Sequence, residues 1–292
     1  MKAIIFGISG QDGFYLKQIL ENNKIKVFGT GSKMSNNYDF VDLSNFQNVF
    51  NYIENINPDY IFCFSAISNT SHLNLFKNHK IISLGTLNIL ESIRILDINC
   101  RIFIPGSAVQ FRLSNSPIDE NSSQYPNSPY ATERIYTLNL AKYFREKFRL
   151  KVYYGFLFHH DSPYRKDDHL TIKIIKKIKK IKDEGVNKLV INNLNYTKEF
   201  NHAKDIVNAI WIFINQDKVY EIVIGSGLAI SIDEFIKKVI KEFNFDCNFK
   251  FGHYGEKEVI TCNPSQIKEM GWIPKFTTEE LIKDIITNGN IS

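Results

Sequence analysis

Cysteine is scarce in this chain. The four residues, Cys63, Cys100, Cys247 and Cys262, sit at spacings that suit neither a metal site nor a disulfide framework. They are expected to be reduced, mostly buried thiols of a cytoplasmic protein, and no metal is expected. No stretch is long and apolar enough to span a bilayer, and the sequence enters a strand pattern at once, so neither a membrane anchor nor a signal peptide is expected. Charge of one sign is not in large excess. The formal net charge is +5, and much of it lies between Thr171 and Lys182, where isoleucines recur at helical spacing. That predicts an amphipathic helix with a solvated lysine face, with no need of a nucleic-acid or membrane partner. Internal repeats and long linkers are absent too, and an apolar content of 43% argues against disorder. What is left is a chain long enough for a full α/β core.

The informative stretch is near the N-terminus. Lys2-Ala3-Ile4-Ile5-Phe6 is a short apolar run, the pattern of a buried parallel strand. Gly7-Ile8-Ser9-Gly10-Gln11-Asp12-Gly13 follows, and Phe14 to Leu20 has helical apolar spacing. Strand, glycine turn and helix form the setting in which a dinucleotide pyrophosphate rests on a helix N-terminus. Gly7 permits the tight turn, Gly10 lets a phosphate approach the backbone, and Gly13 lets the helix pack against the strand. The whole turn, with Ser9, Gln11 and Asp12, is assigned to a cofactor. After a second strand around Ile25 to Gly29, Thr30-Gly31-Ser32-Lys33 offers a hydroxyl and a cation and no carboxylate. NADP is therefore favoured, through Ser32 and Lys33, with NAD as the alternative. Asp42 and Leu43 are placed on the same cofactor side. A further buried strand, Asp59 to Phe64, ends in Ser65, Ala66 and Ser68. These belong to the crevice beyond the carboxyl ends of the strands.

Strand patterns continue at Arg101–Pro105 and Lys151–Phe158, alternating with helical stretches through Phe46–Ile53, Gly85–Ile93 and Pro129–Arg149. This alternation predicts a Rossmann-like, doubly wound parallel sheet of α/β class over residues 1–158. Residues 199–224 are expected to return to it, and 159–198 with 225–292 to form a smaller α/β substrate-binding lobe. Ser107 falls at a strand tip, and Tyr130 and Arg134 lie one helical turn apart. A cation one turn away favours phenolate, so the tyrosine can act as acid or base, while a serine hydroxyl holds a carbonyl oxygen. Beside a nicotinamide ring, that is equipment for exchanging hydride with an alcohol or ketone.

With those residues in place, the chain resembles the extended short-chain dehydrogenases/reductases, most closely the GDP-mannose 4,6-dehydratase branch. The likeness is carried in order by Gly10-Gln11-Asp12-Gly13-Phe14-Tyr15-Leu16, Leu84-Gly85-Thr86-Leu87, Tyr125-Pro126-Asn127-Ser128-Pro129-Tyr130, Leu157-Phe158-His159-His160-Asp161-Ser162-Pro163, Phe200-Asn201-His202-Ala203-Lys204-Asp205 and Gly271-Trp272-Ile273-Pro274. The resemblance implies a homo-oligomeric enzyme with NADP in the first lobe and a GDP-linked sugar in the second. It also implies a catalytic set of Ser or Thr, Glu, Tyr and Lys. Ser107 and Tyr130 match the first and third. Val109 stands at the position of the Glu, and Arg134 at that of the Lys. In the substrate lobe, Lys198 replaces the family's phosphate-binding arginine and His159 its substrate-touching asparagine. The arginine that precedes Glu258 has no counterpart, though His253 and Lys257 are nearby cations. Lys257 and Glu258 are accordingly assigned to the substrate.

A 4,6-dehydratase oxidises C4, takes a proton from C5 and expels the C6 hydroxyl. Valine moves no proton, and the adjacent Gln110 does not titrate. The expectation is an NADP-dependent C4 ketoreductase or epimerase that lacks the elimination. Two alternatives stay open: a 4,6-dehydratase-like lyase with a carboxylate supplied from elsewhere, and a non-catalytic NADP-binding partner or regulator.

Overall fold

Alternation along the first strand sets up the architecture. In β1 (Lys2–Phe6), Ile4 and Phe6 enter one buried apolar cluster, while Ala3 and Ile5 enter another on the opposite face. A strand whose residues are buried on both sides lies inside a sheet covered on both faces. The computed structural model describes residues 1–31, 33, 35, 37–112, 116–185, 188–192, 196–245, 248–252 and 258–291. Ser32, Cys247, His253 and Lys257 lie outside the described residues.

Around β1 run β2 (Lys26–Gly31), β3 (Asp39–Phe40), β4 (Tyr60–Cys63), β5 (Arg101–Ser107) and β6 (Lys151–Leu157). With the strand Glu221–Ile224 they form a seven-stranded sheet, ordered Glu221–Ile224, β6, β5, β4, β1, β2, β3. Every pairing in it is parallel. On one face lie α2 (Phe46–Ile56), α4 (Gly85–Leu96) and α5 (Pro129–Phe148), which contribute Val49, Ile53, Ile89, Leu90, Leu138 and Phe144 to the first cluster. A short helix α3 (Leu75–Asn78) leads into α4 through a π-helical turn, His79–Leu84. The other face carries α1 (Gln11–Asn22) and the helix Ala203–Ile214, whose Ile206, Val207 and Ile210 pack with Tyr15, Leu16 and Leu20. The helix Ala203–Ile214 and the strand Glu221–Ile224 thus belong to the central sheet layer.

A third cluster lies beyond the sheet. The helices Leu170–Asp183, Ile232–Phe243 and Thr278–Asn288 bury Ile174, Ile175, Ile178, Phe235, Ile236, Leu281 and Ile285 together. The lysine-rich helix expected from its isoleucines is the first of these. Its outward charges are matched locally, Lys176 with Asp167, Lys179 with Asp183 and Lys180 with Glu184. Beside it, Tyr196–Glu199 forms a three-stranded sheet with Ala229–Ser231 and Glu258–Ile260. Among the described residues no helix is long and apolar enough to cross a membrane. Cys63, Cys100 and Cys262 are buried and free. Burial pushes the Cys63 and Cys100 thiols up to about 12, so they stay protonated.

Candidate active site

The loops beyond the carboxyl ends of β1, β4, β5 and β6 enclose a cleft of about 470 Å³. Its floor is the glycine turn. Gly7 has φ +92°, and a Cβ there would come within 2.7 Å of the Ser65 nitrogen. At Gly13 a Cβ would sit 2.6 Å from the Gly7 carbonyl oxygen, so α1 rests directly on the turn. Gly10 is different. It caps α1 with φ −82° and no side-chain cap, and a Cβ there would meet only the Gly7 oxygen, at 3.4 Å. Backbone N–H groups at a helix start, with open room above, form a cradle for an anion.

The neighbouring polar side chains fasten that floor to the loop after β6. Gln11 Nε2 donates to the His160 carbonyl at 3.1 Å, and Ser162 Oγ donates to Gln11 Oε1 at 3.0 Å. Asp12 Oδ1 lies 3.1 Å from His160 Nε2. Burial opposes the charge on both partners, but their attraction prevails. Asp12 is held below the usual carboxylate range and His160 is raised above the usual histidine value.

The chemical groups come from β5 and α5. Ser107, the last residue of β5, donates its backbone N–H to Gln110 Oε1 at 2.8 Å, and Gln110 Nε2 donates to Gln124 Oε1 at 2.8 Å. Gln110 is thereby locked in the interior, while Ser107 and Val109 face the cleft. Ser128 caps α5, accepting from the Ala131 N–H at 3.2 Å, with Pro129 in its first turn. This start brings Tyr130 and Arg134 to the same cleft. The guanidinium of Arg134 is buried, with its carbon 5.1 Å from the centre of the Tyr130 ring. Nη1 donates to the Pro105 carbonyl at 2.7 Å, and Nε has no hydrogen-bond partner among the described residues.

His159 and Lys198 line the same cleft, with Arg165, which carries no motif in the sequence. They surround Asp161, which is fully buried: His159 Nε2 is 2.8 Å from one carboxylate oxygen and Arg165 Nε 2.9 Å from the other. Burial works against the Asp161 charge, yet the His159 ring and the Arg165 guanidinium keep the carboxyl well below the usual range. Burial and the Lys198 charge push His159 down to about 4, against the pull of Asp161, so its imidazole is neutral near pH 7. Burial, reinforced by Arg165 and partly offset by Asp161, pushes Lys198 down to about 8.

Other residues assigned from sequence fall elsewhere. Lys33 is exposed and does not line the cleft. Asp42 accepts from the Ser44 N–H and hydroxyl at 2.9 and 2.7 Å, holding the turn before α2. Leu43 is core, and its carbonyl accepts from Asn88 Nδ2 at 2.7 Å. Ala66 and Ser68 line the cleft, whereas Ser65 lines a small buried recess behind it, shared with Cys63 and Arg134. From the strand Glu258–Ile260 it is Ile260 that reaches the cleft. The carboxylates among the described lining residues are Asp12, engaged by His160, and Asp168, largely exposed beside His169. No glutamate is among them.

The family model described as GDP-mannose 4,6 dehydratase matches residues 4–285. The GDP-mannose 4,6-dehydratase of Yersinia enterocolitica is 26% identical, the match covering 98% of this chain and 92% of that protein. The enzyme of the same name from Dictyostelium discoideum is 27% identical over 97% of this chain and 94% of its own length. Among solved structures, RMD from Pseudomonas aeruginosa complexed with NADPH superposes with a TM-score of 0.85 at 17% identity, covering 99% of each chain. UDP-glucose 4-epimerase from Thermotoga maritima with UDP-glucose gives 0.87 at 16% identity, covering 99% of this chain and 98% of that one. These structural likenesses establish the Rossmann-like fold, and the family match spans nearly all of it. The chain belongs to the GDP-mannose 4,6-dehydratase family.

Proposed function

We propose that this protein is an NADP-dependent C4 ketoreductase, or epimerase, of a GDP-linked sugar, and that it does not carry out the elimination that gives the family its name. The observation that carries the reading is Val109. It faces the cleft beside Ser107 and Tyr130 where the family resemblance calls for a glutamate, and no glutamate lines the cleft among the described residues. The open cradle at Gly10 and the unpartnered Arg134 Nε fit a dinucleotide. The solved neighbours include one complexed with NADPH and one with NAD. When bound, NADPH supplies the hydride. Ser107 Oγ holds the C4 oxygen, the Tyr130 hydroxyl gives or takes its proton, and Arg134 supplies the positive charge beneath the ring. Lys198 and His159 receive the sugar nucleotide.

The deciding experiment follows products by NMR. With NADPH and a GDP-linked 4-keto-6-deoxyhexose, C4 reduction is expected; with NADP and GDP-mannose, no 4-keto-6-deoxy product. Formation of that product from GDP-mannose establishes the dehydratase reading instead.

Three further results are expected. Gly10→Ala keeps an allowed φ and makes no clash below 3.4 Å, so the fold survives, but the methyl fills the cradle. NADPH affinity should fall by about tenfold or more in a fluorescence titration, with Tm nearly unchanged, because the methyl displaces phosphate contacts at the helix start. Gly13→Ala drives a Cβ into backbone at 2.6 Å and should lower stability by about 1–3 kcal/mol. The third result concerns Lys198. Its free-state value of about 8 means that its charge is lost above that pH. A bound diphosphate favours the charged form, so affinity for GDP-mannose, read by calorimetry, should weaken by up to about tenfold per unit above pH 8. Lys198→Arg, which does not titrate there, should flatten that limb.

A further inference from the structure

We infer that residues 162–169 form a latched strap over the dinucleotide end of the cleft, and that unlatching it gates exchange of the dinucleotide. This rests on reading the glycine-turn end as a dinucleotide site. The strap leaves the short strand His160–Asp161, which pairs with Asn201–His202, and enters the helix Leu170–Asp183, whose inner face is core. Both ends are therefore fixed. Between them the chain makes two tight turns, Arg165 N–H to the Ser162 carbonyl at 3.0 Å and His169 N–H to the Lys166 carbonyl at 3.2 Å. Residues 166–168 are exposed on the outside, while Lys166, Asp168 and His169 line the cleft on the inside. A single thickness of chain thus separates this part of the cleft from solvent.

The strap is pinned to two different walls. At its start the Tyr164 ring lies on Phe14 of α1, with centroids 3.9 Å apart, and edge-on to Tyr15 at 5.6 Å. At its end His169 Nε2 is 3.4 Å from Ser68 Oγ, in the loop after β4. α1 follows β1, and β1 and β4 are neighbours in the sheet. A segment touching α1 at one end and the β4 loop at the other therefore spans the cleft above the glycine turn. Ser162 is held to Gln11, Arg165 to the buried Asp161, and Asp167 to Lys176 of the helix that follows, but the contacts that Tyr164 and His169 make with the two walls are an exposed aromatic contact and one long hydrogen bond. Contacts of that kind break far more readily than the flanking helix and strand unfold. The device is a strap with firm ends and weak pins, which opens without disturbing the core.

The test has two arms, both using the Tyr164→Ala/His169→Ala double variant and the wild type. In the first, hydrogen exchange is followed without ligand. Amides of 164–169 should exchange about tenfold faster in the variant, with β1 and β6 unchanged. Unaltered protection of 164–169 overturns the strap, whether or not a dinucleotide binds. In the second, stopped-flow NADPH fluorescence gives both rate constants. A gate speeds association and dissociation together, so both should rise by about tenfold while Kd moves little. Faster dissociation with unchanged association shows a mere contact residue and overturns the gate. A wild type that fails to bind NADPH sinks the cofactor reading, and the gate with it, while the exchange arm still decides the latch.

Discussion

Tyr130→Phe is expected to lower turnover on a 4-keto-sugar substrate by about 10²–10⁴-fold, the usual contribution of a positioned acid or base. Tm should stay within about a degree. The reason for the split lies in what the hydroxyl touches. Among the described residues none hydrogen-bonds it, and the ring packs under the Arg134 guanidinium, a contact that phenylalanine keeps. The substitution therefore removes the group that moves a proton and little else. A Ser107→Ala companion should lose less, because the oxygen it holds keeps the tyrosine. Full ketoreductase turnover by Tyr130→Phe, measured as NADPH consumption, contradicts the proposed roles. Arg134 sharpens the point. With one nitrogen on the Pro105 carbonyl and its carbon 5.1 Å from the ring centre, it acts from beside the tyrosine as a fixed charge. Arg134→Lys keeps the charge but loses the fork that reaches Pro105.

The central sheet was legible because its signals are local. Apart from β3, two exposed residues that the sequence does not mark, its strands are apolar runs, and a parallel sheet covered on both faces is recognised from such runs alternating with helices. The glycine turn was legible for the same reason: backbone conformation and close approach are written into glycine itself, as the +92° φ of Gly7 shows. The substrate end was harder. Tyr196–Glu199 is polar in sequence and becomes a strand only because Ala229–Ser231 and Glu258–Ile260, distant along the chain, pair with it. Arg165 carries no motif of its own. It matters because Asp161 is buried beside it, and burial of a carboxylate is a tertiary fact. Leu43, placed on the cofactor side from sequence, also packs in the core against Gly85, a contact that no sequence signal marks. Position along the chain locates a loop, but the loop's packing decides which of its residues faces the ligand.

Glu199 is the residue whose loss should cost the fold most. It is fully buried and close to no cation in an ion pair among the described residues, yet it collects donors from four residues. Oε2 accepts from the Ser226 N–H at 2.8 Å and from Asn201 Nδ2 at 2.9 Å; Oε1 accepts from the Cys262 N–H at 2.7 Å and from Thr261 Oγ1 at 3.2 Å. Those donors belong to the segments that follow Tyr196–Glu199, Glu221–Ile224 and Glu258–Ile260, so one carboxylate ties the central sheet to the small one. Glu199→Ala strands buried N–H groups and opens a cavity. Stability should fall by about 3–5 kcal/mol, and Tm by about 10 °C. Glu199→Gln keeps the volume and one accepting oxygen but turns an amide toward donors, and should cost about half as much. The damage reaches the ligand as well. Lys198 precedes Glu199 on the same strand and faces the cleft, opposite the buried carboxylate. Loosening the anchor should therefore weaken GDP-mannose binding more than NADPH binding, since the glycine turn does not depend on it. A Glu199→Ala protein that melts within a degree or two of the wild type removes the carboxylate from this role.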